Sequence, residues 1–334
     1  MKVKLGLAFV MLVGLAIAVG LILHEGWDVV LGSLRAVGWG ILALVGVHIG
    51  QVVVAAIGWR PGIPPGWPRD IGELIFIRWI REGFNGLMPV AQIGGEIIGA
   101  RLLAFRGVRG DIAGASVLLD MTAEIGTQVV FSLLGLLLLG LDGRAQDAIG
   151  NMVGGLVVAV IIVVAFIASQ RLGMIKLIER VVDRIVMRSG WAGLDGIRGL
   201  HDAVQELHGN RQALAAGSGL HFLSWLMGAL EVWVALHFMG IDVGASTALI
   251  IESIGQAARS AGFIVPGGLG VQEGGIMLIG TALGVPADAA LALALAKRLR
   301  EIILGVPALL TWQYLEGRRL WRRAVVLQPK RPVT

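Results

Sequence analysis

Asp120 and Glu124 stand four residues apart in the apolar run ASVLLDMTAEIGTQVVF, and Lys297 and Glu301 repeat that spacing in ALALALAKRLREIILGV. Residues at i and i+4 share one face of a helix, so each run sets two ionisable groups side by side. Near the middle of a bilayer each such charge costs at least about 2.5 kcal/mol, so it needs a partner or a task. An acidic face on one helix could meet the basic face formed by Lys297, Arg298 and Arg300 on another across an interior polar path. The alternatives are an ion pair that only locks two helices, or a general base, Glu124 or Glu301, working on a lipid.

Two further carboxylates follow broken stretches. Residues 85–96 read NGLMPVAQIGGE and end in Glu96, and residues 265–273 read VPGGLGVQE and end in Glu273. Pro89 and Pro266 each end a half-helix, glycines turn the chain, and a second half-helix starts near the Glu. Its free N–H groups and positive dipole end can stabilise Glu96 or Glu273, or a ligand anion. Helix capping and a functional role are compatible readings of both. Arg81 and Arg259 approach the two breaks, where a guanidinium fork would match a lipid phosphate. Arg78, Glu82, Glu231 and Glu252 are further ionisable groups in apolar surroundings.

The two stretches are copies. A shift of 177 positions lays Pro89 on Pro266, Glu96 on Glu273, Gly107 on Gly284, Val108 on Val285, Asp111 on Asp288 and Glu124 on Glu301. Proline and carboxylates are scarce in this chain, so these matches outweigh the apolar ones and point to an internal duplication, with copies around 70–140 and 244–315.

These residues must be carried by elements suited to lipid. Of 334 residues 56% are hydrophobic and 15% charged, and runs of roughly 20 apolar residues, enough to cross a bilayer, recur from end to end. Full spans are expected at 5–23, 37–59, 112–140, 150–169, 213–238 and 288–315. Segments 70–106 and 244–284 are too broken for clean spans. The predicted fold is an all-α polytopic integral membrane protein, a single transmembrane domain over residues 1–334 with about six full spans and two re-entrant broken-helix hairpins. MKVK and the run to Leu23 resemble a signal peptide, but the run continues past Ala16-Ile17-Ala18 and suits an uncleaved first span.

Lys and Arg gather before the first span, after the second and fourth, before the third, and in the tail. Both termini are therefore expected in the cytoplasm. On that assignment the first copy enters from the cytoplasm and the second from outside, an inverted repeat of the kind transporters use. Trp39, Trp59 and Trp312 fall near span ends and are expected at the interface. In the polar connection 171–212, MIKLIERVVDRIV has helical apolar spacing and reads either as an amphipathic surface helix or as a soluble helix capping the spans.

Several classes are excluded. The chain has no Cys, and its six His lack metal-ligand spacing, with His201 and His208 read as solvated surface. The net charge of +5 is spread between spans, which orients a membrane protein and does not build a nucleic-acid surface. PGGLGVQEGG lacks the Gly-Lys-Ser/Thr ending of a nucleotide-binding loop. Neither a metal nor a cofactor is expected.

NGLMPVAQIGGE with the following RGV, ASVLLDMTAE, VPGGLGVQEGG and ALAKRLREIILGVPALLTW resemble the flippase-like family defined by the transmembrane region of lysylphosphatidylglycerol synthase. PVAQIGGEIIGAR, LLDMTAEIGTQ and KRLREIILGVPALL are most similar to the branch associated with hopanoid biosynthesis. In the bifunctional relatives a soluble domain makes an aminoacylated phospholipid and the membrane region moves it between leaflets. The stretch after Leu315 is too short for that soluble domain, so the resemblance implies lipid translocation without aminoacyl transfer. It implies a bacterial inner-membrane protein that is not an enzyme, whose partners are membrane lipids, phospholipid or hopanoid, and hopanoid-biosynthesis proteins. A lipid-modifying enzyme and a non-catalytic scaffold are the alternatives. The family often has a basic residue after the aspartate of LLD, where this chain has Met121. Glu96, Glu273, Asp120, Glu124, Lys297, Arg300, Glu301, Arg81 and Arg259 are the expected path or gating residues, with Pro89 and Pro266 shaping the turns.

Overall fold

Local signals place the helix ends. The computed structural model describes residues 32, 35, 37–88, 94–143, 199–261 and 270–326, with side chains as far as 319. They form α1 (Gly40–Trp59), a 3-10 turn (Arg60–Gly62), α2 (Ile71–Leu87), α3 (Gly94–Phe105), α4 (Gly110–Asp142), α5 (Leu200–Gly209), α6 (Arg211–Phe238), α7 (Ala245–Ala261), α8 (Val271–Ala282) and α9 (Ala287–Val326). No strand occurs among the described residues. Asp70 caps α2 by accepting from the Glu73 N–H at 3.1 Å, and Asn210 caps α6 by accepting from the Ala213 N–H at 3.0 Å.

The chain is a helical membrane protein. The α1 helix with its following turn, α4 and α6 are long and apolar enough to cross a membrane, and they answer to the spans expected at 37–59, 112–140 and 213–238. The run expected as a span at 288–315 is helical throughout, inside the 40-residue α9. Its charged stretch, Lys297 to Glu301, keeps it out of that apolar class. On α4 the apolar Val130, Leu133, Leu137 and Leu141 are exposed while Asp120 is buried, the reverse of a soluble helix. The spans expected at 5–23 and 150–169, the turns at Pro89 and Pro266, and MIKLIERVVDRIV lie outside the described residues. The end of the connection, α5, buries Leu200, Ala203, Val204 and Leu207 and packs on α4.

Positions 177 apart adopt matching local structure. Gly107 after α3 and Gly284 after α8 both have φ in the left-handed region, at 96° and 90°, which stops a helix at little cost only for glycine. Asp111 and Asp288 then accept, at 2.9 Å each, from the N–H of the next residue in the first turn of α4 and α9. Packing follows the same correspondence: α1 on α2, α2 on α3 and α3 on α4 are matched by α6 on α7, α7 on α8 and α8 on α9. The crossing of α2 with α9 is matched by that of α7 with α4, while α1 and α6, the central pair, lie along each other.

Among the described residues there are two apolar cores. One joins α2, α3, the start of α4, α5 and Trp312 of α9. The other joins α6, α7, α8, the start of α9 and Leu139 near the end of α4. So α4 runs from the first core to the second, and α9 runs from the second to the first. Between the cores each helix carries its charged stretch. Trp59 and Trp312, expected at an interface, are instead buried in the first core, because Trp59 lies beneath the Arg81 guanidinium, 4.8 Å from the ring centroid, and Trp312 packs edge-on against Phe84.

The α2–α9 crossing tests this packing. A methyl on Gly83 would come within 2.7 Å of the Ala308 Cβ and 3.1 Å of the Gly305 Cα, whereas one on Gly86 meets nothing within 4 Å. Gly83→Ala is expected to cost about 1–3 kcal/mol by overpacking. Gly86→Ala is expected to add up to about 1 kcal/mol through helix propensity. Opposite shifts in the thermal midpoint of detergent-solubilised protein check both.

Candidate functional site

Helical spacing assembles the first half of the site. Arg78, Arg81, Glu82 and Asn85 recur at i, i+3, i+4 and i+7, a single face of α2. Arg78 donates to Asp120 Oδ2 at 2.9 Å, to Glu124 Oε1 at 2.6 Å and to Glu82 Oε1 at 2.9 Å. Arg81 donates to Asp120 Oδ2 at 2.9 Å and to Glu96. Asn85 spans the break between α2 and α3: its Oδ1 accepts from the Gly95 N–H at 2.8 Å and its Nδ2 donates to Glu96 Oε1 at 3.1 Å. Glu96 thus sits in the first turn of α3, where the helix dipole favours a negative charge, with its oxygens turned to Arg81 and Asn85. From α6, His221 completes the cluster at 2.8 Å from Asp120 Oδ1.

The second half keeps its carboxylates in matching places but draws its cations from elsewhere. Glu273 lies in the first turn of α8 and Glu301 on α9. Arg298 joins them, donating to Glu273 Oε1 at 2.5 Å and Glu301 Oε2 at 2.6 Å. It stands where the first copy has Met121. Arg259 of α7 donates to Glu301 and, at 3.0 Å, to Gln272. Lys297 donates to Glu252 Oε2 at 2.5 Å, and Arg300 lies 3.3 Å from Glu231 Oε2.

The acidic and basic faces expected to meet across the path do not pair with each other. Asp120 is neutralised by Arg78 and Arg81, and Lys297 by Glu252. Each half brings its own counter-ions into direct contact, so neither charge is left to seek a partner across the interface. Arg81 and Arg259, at the breaks as expected, already hold carboxylates, and Arg81 is fully buried.

The halves meet at His48 of α1. Its Nε2 lies 3.2 Å from Glu82 Oε2 in the first half, and its Nδ1 contacts Arg300 and lies 3.9 Å from Glu231 Oε2 in the second. A second link is Gln128 of α4, which donates to Ser260 and to the Gln256 carbonyl of α7. Gln128 and Ser260 stand 177 positions from Gly305 and Gly83, so a hydrogen bond closes one crossing and glycines close the other. Among the expected site residues, only Pro89 and Pro266 lie outside the described residues. His48 and His221 were not among those expected, although each is a lone imidazole in an apolar run, VGVHIGQ and GLHFLSW.

The chain matches the lysylphosphatidylglycerol synthase TM region over residues 7–308. It belongs to that family. The matched stretch takes in every charged residue named in the two halves of the site, through Arg300 and Glu301 on α9. No curated relative and no solved structure matches the chain. For this lysylphosphatidylglycerol synthase TM-region protein, the family points to a membrane lipid-related function.

Proposed function

We propose that this protein moves lipid between the leaflets of the bacterial inner membrane, along a polar band held between two inverted halves. One observation carries the reading: α4 and α9 run in opposite senses between the two cores, and both bring charge to the level between them. A headgroup crossing hydrocarbon loses its hydrogen bonds, at a cost of roughly 2–7 kcal/mol for each uncompensated polar group. A line of carboxylates and guanidiniums can exchange pairing with it step by step. Both termini are cytoplasmic in this reading, and the hairpins α2–α3 and α7–α8 re-enter from opposite faces. The resemblance of LLDMTAEIGTQ and KRLREIILGVPALL supports hopanoid as the lipid and hopanoid-biosynthesis proteins as partners.

Transport is favoured over catalysis because Glu124 and Glu301, the carboxylates suited to a general base, are held by arginines at 2.6 Å. In vesicles of defined lipid, the wild-type protein is expected to speed equilibration of a fluorescent phospholipid between leaflets and to leave lipid composition unchanged. Glu96→Gln removes a charge-assisted bond of about 1.5–3 kcal/mol and is expected to slow equilibration at least about tenfold. A new lipid species in wild-type vesicles, or equal rates for both proteins, would overturn the reading.

A further inference from the structure

The two halves of the band differ in charge. In the second, Glu231, Glu252, Glu273 and Glu301 face an equal number of permanent cations, Arg259, Lys297, Arg298 and Arg300. In the first, Glu82, Glu96, Asp120 and Glu124 face only Arg78 and Arg81 among the described residues. The first half is therefore two positive charges short, in surroundings where an uncompensated charge is poorly tolerated. Two imidazoles reach into it, and each touches one of the carboxylates: His48 meets Glu82 and His221 meets Asp120.

The neighbours of His48 accept either charge state. Its Nδ1 faces two groups with opposite requirements, the N–H of Arg300 and the Gln51 Oε1 at 2.8 Å. A charged ring donates from Nδ1 to Gln51 and from Nε2 to Glu82, leaving Arg300 to Glu231. A neutral ring accepts at Nδ1 from Arg300 and still donates from Nε2 to Glu82. The Gln51 Nε2 is buried without a partner, and a half-turn of the amide would bring it to Nδ1 as a second donor. The position of Arg300, the link between the halves, thus depends on the proton on His48.

Among the described residues, few other groups lie close to these rings. Around His48, α2 supplies Glu82, α6 supplies Glu231, and α9 supplies Arg300 with Lys297 and Glu301 beside it. Around His221, α4 supplies Asp120, whose other oxygen holds Arg78 and Arg81 of α2, while α1 brings the backbone near Gly58. The contact of α6 with Glu252 of α7 is two turns further on, at Gly228.

We propose that His48 and His221 are proton-binding sites, both occupied in the resting protein, and that lipid movement along the band is coupled to the release and return of those protons. The coupling rests on the transport reading above; the occupancy does not. On release, the His48 ring, whose side chain is 19% exposed, gives its Nδ1 proton to water and keeps its Nε2–H on the Glu82 carboxylate. The bond between Arg300 and His48 Nδ1 replaces the one between Nδ1–H and Gln51.

The chain has six His, so replacing His24, His201, His208 and His237 with Gln leaves two rings to observe. Labelled with 15N-histidine in phosphatidylethanolamine–phosphatidylglycerol nanodiscs at pH 7, both rings are expected to show two protonated nitrogens. One nitrogen of either ring carrying a lone pair overturns the occupancy. In parallel, wild-type protein in vesicles holding fluorescent phosphatidylglycerol is exposed to a pH gradient of either sign. The gradient is expected to bias the final leaflet distribution severalfold, reversing with its sign, and His48→Gln with His221→Gln is expected to abolish the bias. Movement without bias in the wild type overturns the coupling alone. Absence of any movement removes the transport reading with the coupling, and the rings still decide occupancy.

Discussion

Asp120→Asn is expected to lower the stability of the detergent-solubilised protein by about 3–5 kcal/mol, the usual cost of breaking a buried ion pair from one side. The substitution preserves shape, so no cavity contributes. What changes is the chemistry of a side chain with no exposure: Oδ2 accepts from both Arg78 and Arg81, and Oδ1 takes the His221 contact. An amide can satisfy only one side. With its NH2 toward the arginines it sets donor against donor, and with its NH2 toward His221 it leaves two guanidiniums sharing a neutral oxygen. Glu124→Gln serves as the comparison. Glu124 is 28% exposed at its side chain and, among the described residues, pairs with Arg78 alone, so water can replace much of the lost bond and a loss nearer 1 kcal/mol is expected. The two unfolding midpoints in denaturant are the measurement. Equal losses would mean that the level of Asp120 is wet and that the buried junction described here is wrong.

The parts of this arrangement that were legible in the sequence were local ones. The runs 37–59, 112–140 and 213–238 became α1, α4 and α6 within a few residues, because a long apolar run without a break has few options in lipid. The broken pieces 70–106 and 244–284 became α2 with α3 and α7 with α8, since each clusters proline and glycine between two short apolar pieces, whereas the lone Pro307 stays inside α9. Glu96, Glu124, Glu273 and Glu301 stood out by their match across 177 positions. Their partners did not. Arg78 is 42 residues from Asp120, and Lys297 is 45 residues from Glu252, distances at which no periodicity speaks and packing alone decides who meets whom. The shift that exposed the carboxylates also misled, since it set Asp120 on Lys297 and suggested that opposite charges at matched positions pair. Matched positions instead occupy matched places in separate halves. There Lys297 found Glu252 on α7, whereas Asp120 found the arginines of α2.

That difference makes a charge exchange the sharpest test of the pairing. Lys297→Glu alone puts two carboxylates against each other in a site where both side chains are under 5% exposed, and Glu252→Lys alone does the same with two ammonium groups. Either change is expected to cost about 3–5 kcal/mol or to prevent folding. The double variant, Glu252→Lys with Lys297→Glu, restores one of each sign. It is expected to recover most of the loss, giving a coupling energy above about 2 kcal/mol in a double-mutant cycle. Recovery will be incomplete, because Glu252 Oε1 also accepts from Gln256 at 2.8 Å, a bond that a lysine cannot accept. The exchange of Asp120 with Lys297 behaves in the opposite way. Asp120→Lys places a third cation beside Arg78 and Arg81, and Lys297→Asp leaves Glu252 facing another anion, so the two faults lie in different halves and add. Recovery in the Asp120–Lys297 exchange together with none in the Glu252–Lys297 exchange would return the two faces to a shared path. The reverse result fixes each half as electrically self-contained apart from its histidines, which leaves His48 and Arg300 as the place where the charge of one half is sensed by the other.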